Sequence, residues 1–401
     1  MAAGDAPTLN SLARNYAMSD NYHQSVMGGT GANHIMLGTG DAAFYQDSNG
    51  NATTPPAGEI ENPNAQSGTN NFYTQDGYGK SGTTNGGSYS NCSDHSQPGV
   101  KGVFAYLNTL PYTVADLCAT SHYYLLNNYN PGYNVDGSLN NSTFTVPPQH
   151  SLPTIGDELS AKGISWGYFG EGFNHGTPGP NYCGICDPMQ YSSSVMTNAG
   201  KRANIQHGLD DFDSEAANGT LPAVSFLKPG DDDGHPGYST LAAFEAFVSH
   251  AVNEVQNNES LWKNTAIFVT FDEGGGYYDS GYVQPVSFFG DGTRVPMLVI
   301  SPYAKPGDIS HTYTDHVSIL KFIERNWNLQ PLSSRSLDKL PNPNSKKSDP
   351  YVPTNAPAIG DLFDLFDFQN QNQQNAPARV LDTSRKVRTS AKLAHTANLA
   401  R

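Results

Sequence analysis

The side chains best suited to chemistry sit at the end of one hydrophobic run. Thr265-Ala266-Ile267-Phe268-Val269-Thr270-Phe271 is short, β-branched and aromatic, which reads as a strand buried on both faces. It stops on adjacent carboxylates, Asp272 and Glu273, and then on Gly274-Gly275-Gly276, where the backbone turns sharply and approaches its neighbours closely. Two acids with no lysine or arginine beside them in sequence repel each other unless a cation lies between them. A hard divalent metal ion is the economical answer. The glycines are not a phosphate-cradling loop, because the spacing and the Lys-Ser/Thr of such loops are absent.

A second candidate is Thr30, within Gly28-Gly29-Thr30-Gly31-Ala32-Asn33. Flanking glycines leave its hydroxyl exposed, and a metal would lower its pKa enough for attack on phosphorus. On local sequence alone, a threonine in such a stretch is usually just a turn residue. His235 follows Asp231-Asp232-Asp233-Gly234. Beside a metal-held acid pair it would suit proton transfer or stabilisation of a developing oxyanion; otherwise it orders the turn before Pro236. The three aspartates read as a solvated acidic turn.

These residues need elements to hold them. Thr154–Gly163 predicts a short helix closed by a C-terminal glycine, and Ile164–Phe169 alternates like a strand. Leu221–Leu227 predicts a further strand, running into the segment of Asp233 and His235. Ser239 then caps a helix with Phe244, Phe247, Val248, Val252 and Val255 on one face. Val295–Ser301 predicts a third strand, and Asp315 caps a last helix carrying Val317, Leu320, Phe322, Ile323 and Trp327. Alternating strands and helices between 151 and 330 indicate an α/β fold with helices on both faces of a sheet. In that arrangement the strand ends at Asp233/His235, Asp272/Glu273 and Ser301 would meet at one edge, where open α/β sheets bind ligands.

Composition sets limits. The 401 residues carry Lys+Arg 22 against Asp+Glu 37, a formal charge of −15, which disfavours a nucleic-acid partner. No apolar run reaches membrane-spanning length, so no transmembrane segment is expected. Residues 45–150 are rich in Asn, Gly, Ser, Thr, Tyr and Pro and read as a loop-rich insertion with short elements such as Val103–Leu110. A single domain is expected over 1–368, with a disordered polar tail at 369–401. No basic start or apolar core marks a signal peptide at Met1–Pro7. Four cysteines allow two bridges, Cys92–Cys118 and Cys183–Cys186, of the kind found in oxidising compartments. A zinc or redox role for Cys183-Gly184-Ile185-Cys186 is the alternative, and sequence alone leaves the connectivity open.

Ser19–His34, which contains the Thr30 turn, resembles the nucleophile segment of the bacterial acid phosphatase/phospholipase C phosphoesterase family, within the alkaline-phosphatase-like superfamily. Leu221–Ser225 with His235-Pro236, Phe271–Gly276, Arg294–Pro302 and Asp315–Leu320 with Phe322-Ile323-Glu324 resemble its later blocks, in order, over about Leu12 to Leu329. The resemblance implies an alkaline-phosphatase-like central β-sheet and a phosphoric-ester hydrolase acting on a small phosphoester or a phospholipid head group. It implies Thr30 as a metal-bound nucleophile, Asp272 and Glu273 as metal ligands, His235 at the phosphoryl group and Asn33 as support for the nucleophile turn. Location would be periplasmic or extracellular.

The family also carries an upstream block, a strand leading into Glu-Asn metal ligands, which this sequence does not contain. A sheet without that strand would expose an edge or an apolar face. A second departure is Asp279-Ser280, where many relatives place a histidine after the aspartate. The competing expectation is a catalytically silent protein of the same fold that binds anionic or phosphorylated ligands. A sulfatase-like hydrolase ranks last, since no Cys or Ser occupies the nucleophile position.

Overall fold

The run ending in the acid pair folds as a strand, and the elements around it follow from the same local signals. The computed structural model describes residues 4–61, 87–174 and 176–369; the polar tail, from residue 370 on, lies outside them. In chain order the elements that position the site are α1 (Pro7–Asn15), β1 (Ala17–Ser19), β2 (Tyr22–His23), α2 (Thr30–Thr39), α3 (Pro98–Leu107), α4 (Ile155–Lys162), β3 (Trp166–Gly170), β4 (Val224–Lys228), α5 (Leu241–Asn257), β5 (Ile267–Thr270), β6 (Met297–Ile300), β7 (Ile309–Ser310), β8 (Thr314–Asp315) and α6 (Val317–Trp327). Thr154 and Asp157 form a reciprocal capping box that starts α4, and Gly163 ends it at φ 73°. The next caps fall one residue later than the sequence suggests. Thr240 caps α5 while the Ser239 hydroxyl accepts from Gly234 N–H, and His316 holds the cap position of α6.

The architecture is mixed α/β. One sheet has the order β5-β6-β1-β7, with β6 antiparallel to both β5 and β1 and with β7 parallel to β1. Among the described residues β4 pairs in parallel with β3 alone, and β8 with β2. Helices cover both faces near β5: the Phe268 ring meets Phe322 of α6 at 4.8 Å, and Phe271, of opposite parity, meets Phe244 of α5 at 4.5 Å. The core divides accordingly. Leu9, Phe247, Val252 and Met297–Ile300 form one buried cluster; Met36, Ile155, Leu159, Trp166, Leu320 and Ile323 belong to another.

Two expectations fail. β5 is not buried on both faces: Ile267, Phe268, Val269 and Thr270 are all only half-buried, and among the described residues one edge of the strand has no partner strand. Ser301 does not join the acid pair. Since β6 runs antiparallel to β5, Ile300 lies opposite Ile267, at the far end from Asp272, and the Ser301 hydroxyl donates to the Thr265 carbonyl.

The element foreseen at Val103–Leu110 is helix α3, which begins earlier. Both anticipated bridges are present, Cys92–Cys118 and Cys183–Cys186, with Cα–Cα separations of 5.4 and 5.5 Å. Beside the second, Asp187 is fully buried. Its Oδ1 accepts from Met189 N–H at 2.9 Å, while Oδ2 has no hydrogen-bond partner among the described residues. Burial pushes this carboxyl up to about 7.

The folded chain therefore keeps a proton on Asp187 that the unfolded chain has lost above about pH 4, so this residue costs stability as pH rises from about 4 to 7. Asp187→Asn is expected to stabilise the protein by about 1–3 kcal/mol at pH 8, with the gain gone near pH 4. Urea unfolding at the two pH values checks this; an equal gain at both removes the titration from the explanation. The Cys92→Ala/Cys118→Ala pair is expected to lose about 3 kcal/mol in the same assay.

Candidate active site

The Thr30 turn is shaped by close backbone approach. A side chain on Gly28 would place its Cβ 1.7 Å from the Leu126 carbonyl oxygen, and one on Gly29 would lie 2.1 Å from Asn127 Oδ1. Only glycine fits at 28, where the obstacle is backbone; at 29 a side chain would have to displace the Asn127 and Asn128 amides. Asn33 staples the turn from within: its Oδ1 accepts from Val26 N–H, and its amide donates to the carbonyls of Val26, Gly28 and Gly29. Thr30 is thereby held as the first residue of α2, and Gly29 brings no side chain to cap that helix end. The positive end of the helix dipole thus lies at a hydroxyl, an arrangement that favours an anion, while Gly31 N–H donates to Asn128 Oδ1.

Glu273 meets this hydroxyl. Thr30 Oγ1 donates to Glu273 Oε1 at 3.1 Å across 243 positions of sequence. Gln24 ties the two segments together: its Oε1 accepts from Gly274 N–H and from the Thr293 hydroxyl, and its Nε2 donates to Val26 O. Asp272 faces histidine and lysine neighbours that sequence adjacency hid. His34 Nδ1 is 3.8 Å from Asp272 Oδ2, and His316 Nε2–H donates to the Asp272 carbonyl at 2.6 Å. Burial pushes the Asp272 carboxyl up, but His34, Lys228 and His316 outweigh it and hold it below the usual carboxylate range.

The histidine tautomers follow from their partners, because a carbonyl only accepts. His34 Nδ1–H donates to Thr30 O at 2.9 Å. His316 carries its proton on Nε2, leaving Nδ1 to accept from the Tyr22 hydroxyl at 2.9 Å. Burial lowers the pKa of both rings, that of His316 to about 4, so His316 is neutral at pH 7. Asp279, which the sequence marked only as a departure, grips the guanidinium of Arg294 with both oxygens and accepts from its backbone N–H.

Of the five residues singled out from sequence, Thr30, Asn33, Asp272 and Glu273 come together. His235 is exposed and lines the same cleft, with its Nδ1 bonded to Pro236 O at 2.8 Å and its ring stacked on Tyr238 at 4.0 Å. His34, His316, Lys228 and Gln24 were not anticipated as site residues. Only His34 carried a local signal, lying four positions after Thr30 on the same helix face. Among the described residues no three His, Cys, Asp or Glu side chains converge as a metal centre would. Thr30, Asp272 and Glu273 offer oxygen donors, the type a hard cation prefers, but fewer than such a cation takes.

Comparison with known proteins gives the family of the chain. The chain is 30% identical over 251 residues to a non-hemolytic phospholipase C of Burkholderia pseudomallei, covering 54% of this chain and 33% of that protein. It is 29% identical over 192 residues to a hemolytic phospholipase C of Pseudomonas aeruginosa (42% of this chain, 24% of that one), and 26% identical over 213 residues to a probable acid phosphatase of Kluyveromyces lactis (50% and 48%). The chain thus spans less than half the length of each of these relatives. Among solved structures, a protein in the alkaline phosphatase superfamily from Vibrio parahaemolyticus aligns with 86% of this chain and 66% of its own, at a TM-score of 0.38 and 10% identity. The profile of the Phosphoesterase family matches residues 2–330, a span that takes in the Thr30 turn, the acid pair and Asp315-His316, and the chain belongs to that family.

Proposed function

We propose that this chain hydrolyses phosphoric esters, phosphomonoesters or phospholipid head-group esters, with Thr30 as the nucleophile. The observation that carries the reading is the Thr30 hydroxyl at the N-terminus of α2, hydrogen-bonded to Glu273 Oε1. Glu273 takes the hydroxyl proton as the threonine oxygen bonds to phosphorus and the alcohol oxygen leaves, giving a phospho-threonine that water then hydrolyses. The α2 N-terminus and the ammonium of Lys228 offset negative charge on the phosphoryl oxygens, and His235 serves the departing group. Asn33 and Gln24 hold geometry: they touch backbone, not substrate.

A divalent cation would be held by Asp272, Glu273 and Thr30 Oγ1, and when bound would polarise the phosphoryl oxygen and lower the pKa of the hydroxyl. Its remaining ligands must come from water, substrate or other polypeptide. The two disulfides support an exported location. The incomplete donor set favours a second reading, a silent member of the fold that binds phosphorylated ligands weakly.

Hydrolysis of a chromogenic phosphate ester with added divalent metals is expected to fall about 10³-fold or more in Thr30→Ala with the far-UV spectrum unchanged. Full activity in that variant would remove Thr30 from the mechanism. Metal analysis after dialysis is expected to find bound cation in the parent and a loss in Asp272→Ala; no metal in the parent under any condition favours the silent reading.

A further inference from the structure

Of the two disulfides, Cys183–Cys186 is the weaker staple. A bridge stabilises chiefly by closing a loop in the unfolded chain, and more so the longer the loop. Cys92–Cys118 spans 26 positions, with Cys92 fully buried and Cys118 packed against the core, whereas Cys183–Cys186 spans 3. Its place in the fold also differs. Cys183 and Cys186 line the cleft of about 1550 Å³ that Thr30, Asn33 and His34 line as well; Cys92 and Cys118 do not.

The two sulfurs differ in access. Cys186 is fully buried, while Cys183 is half-buried and is followed by Gly184, an exposed residue with nothing within 4 Å of where a side chain would begin. A thiolate entering the cleft therefore meets Cys183 Sγ before Cys186 Sγ, which separates the attacked sulfur from the leaving one. Backbone holds the turn independently of the bridge: Cys186 N–H donates to Cys183 O at 3.3 Å, so the reduced thiols stay close enough to close again.

One tyrosine ties this turn to the candidate active site. Tyr191 Oη lies 3.1 Å from Ile185 O, inside the bridged turn, and 3.0 Å from Tyr129 O. A side chain on Gly31, the residue after Thr30, would put its Cβ 3.5 Å from the same hydroxyl. Two residues past Cys186, Pro188 packs so closely on the other end of α2 that a Cβ at Gly38 would stand 2.4 Å from it. Both ends of α2 thus rest on the segment that the bridge fixes.

We propose that Cys183–Cys186 is a thiol-exchange site: a small dithiol entering the cleft opens it reversibly, and the state of the bridge sets how firmly the Thr30 end of α2 is held. The first thiol, as thiolate, attacks Cys183 Sγ. The Cys183–Cys186 bond breaks, and its electron pair leaves on Cys186 Sγ, which takes up the proton that the first thiol gave up. The second thiol, as thiolate, attacks the reagent's own sulfur in the mixed disulfide and releases Cys183, which takes up the second proton. Two electrons pass from the dithiol, which ends as a cyclic disulfide, to the two cysteines. None of these steps depends on Thr30 being a nucleophile.

The test treats the folded chain with dithiothreitol, alkylates free thiols at intervals and locates the label by peptide mass. Cys183 and Cys186 are expected to label about tenfold faster or more than Cys92 and Cys118, and to lose reactivity again when the dithiol is removed. In the same samples, amide exchange at Gly31 and Asn33, whose N–H groups are bonded to Asn128 Oδ1 and Gly29 O, is expected to quicken about threefold or more on opening. Cys183→Ser/Cys186→Ser is expected to show the quicker exchange with no dithiol present, and Tyr191→Phe to show it with the bridge still closed. If both bridges open together, or the second opens only under denaturant, the bridge is structural and the proposal fails. It fails too if the bridge opens first and exchange at Gly31 and Asn33 does not change. Labelling and exchange are read without any hydrolysis assay, so a chain inactive on phosphoric esters still decides the question.

Discussion

Setting Asp272 beside Glu273 at the end of β5 puts two negative charges on neighbouring residues, and much of the site is arranged around that repulsion. The two side chains are answered separately. Asp272 looks toward His34, Lys228 and His316, while Glu273 looks toward the Thr30 hydroxyl. Each answer needs an element from elsewhere in the chain: the start of α2, the end of β4 and the start of α6. Gln24, bonded to both the Thr30 segment and the glycines after the acids, keeps the two answers in register. The acid pair is thus an organising charge.

What could be read from sequence was mostly local. The α4 capping box, the closing Gly163 and the strand ending in acids depend on neighbours a few residues away, and these appear as expected. The ordered blocks also brought Thr30, Asn33, Asp272 and Glu273 to one place, because family resemblance carries long-range information that periodicity lacks. Strand direction was not legible: Ser301 looked equivalent to Asp272 until β6 proved antiparallel. Nor was the part played by His316, which acts through a carbonyl and a tyrosine hydroxyl far from it in sequence. The mistaken burial of β5 has a different origin. Ile267–Thr270 has the composition of a central strand, and in this fold it forms the edge of a gap.

That mismatch between composition and position is informative about stability. Apolar strands at a sheet edge are normally shortened, charged or covered; β5 is short but uncharged, and among the described residues no strand pairs with its second edge. Helices α5 and α6 bury its two faces only in part, so the usual gain from a buried β-branched strand is incomplete here. The chemistry stands next to the least finished part of the fold.

The contact of Gly28 and Gly29 with Leu126 and Asn127 has a consequence for how this protein can change. Asn128 adds to it by accepting from Gly31 N–H at 2.7 Å. The loops of 45–150 look expendable by composition, yet three consecutive residues near their end form the back wall of the Thr30 turn. Drift and length variation are therefore open to the outer parts of the insertion and closed to that wall. A shortened version made by cutting the loops away would keep every candidate catalytic side chain and lose the surface against which the first of them is held.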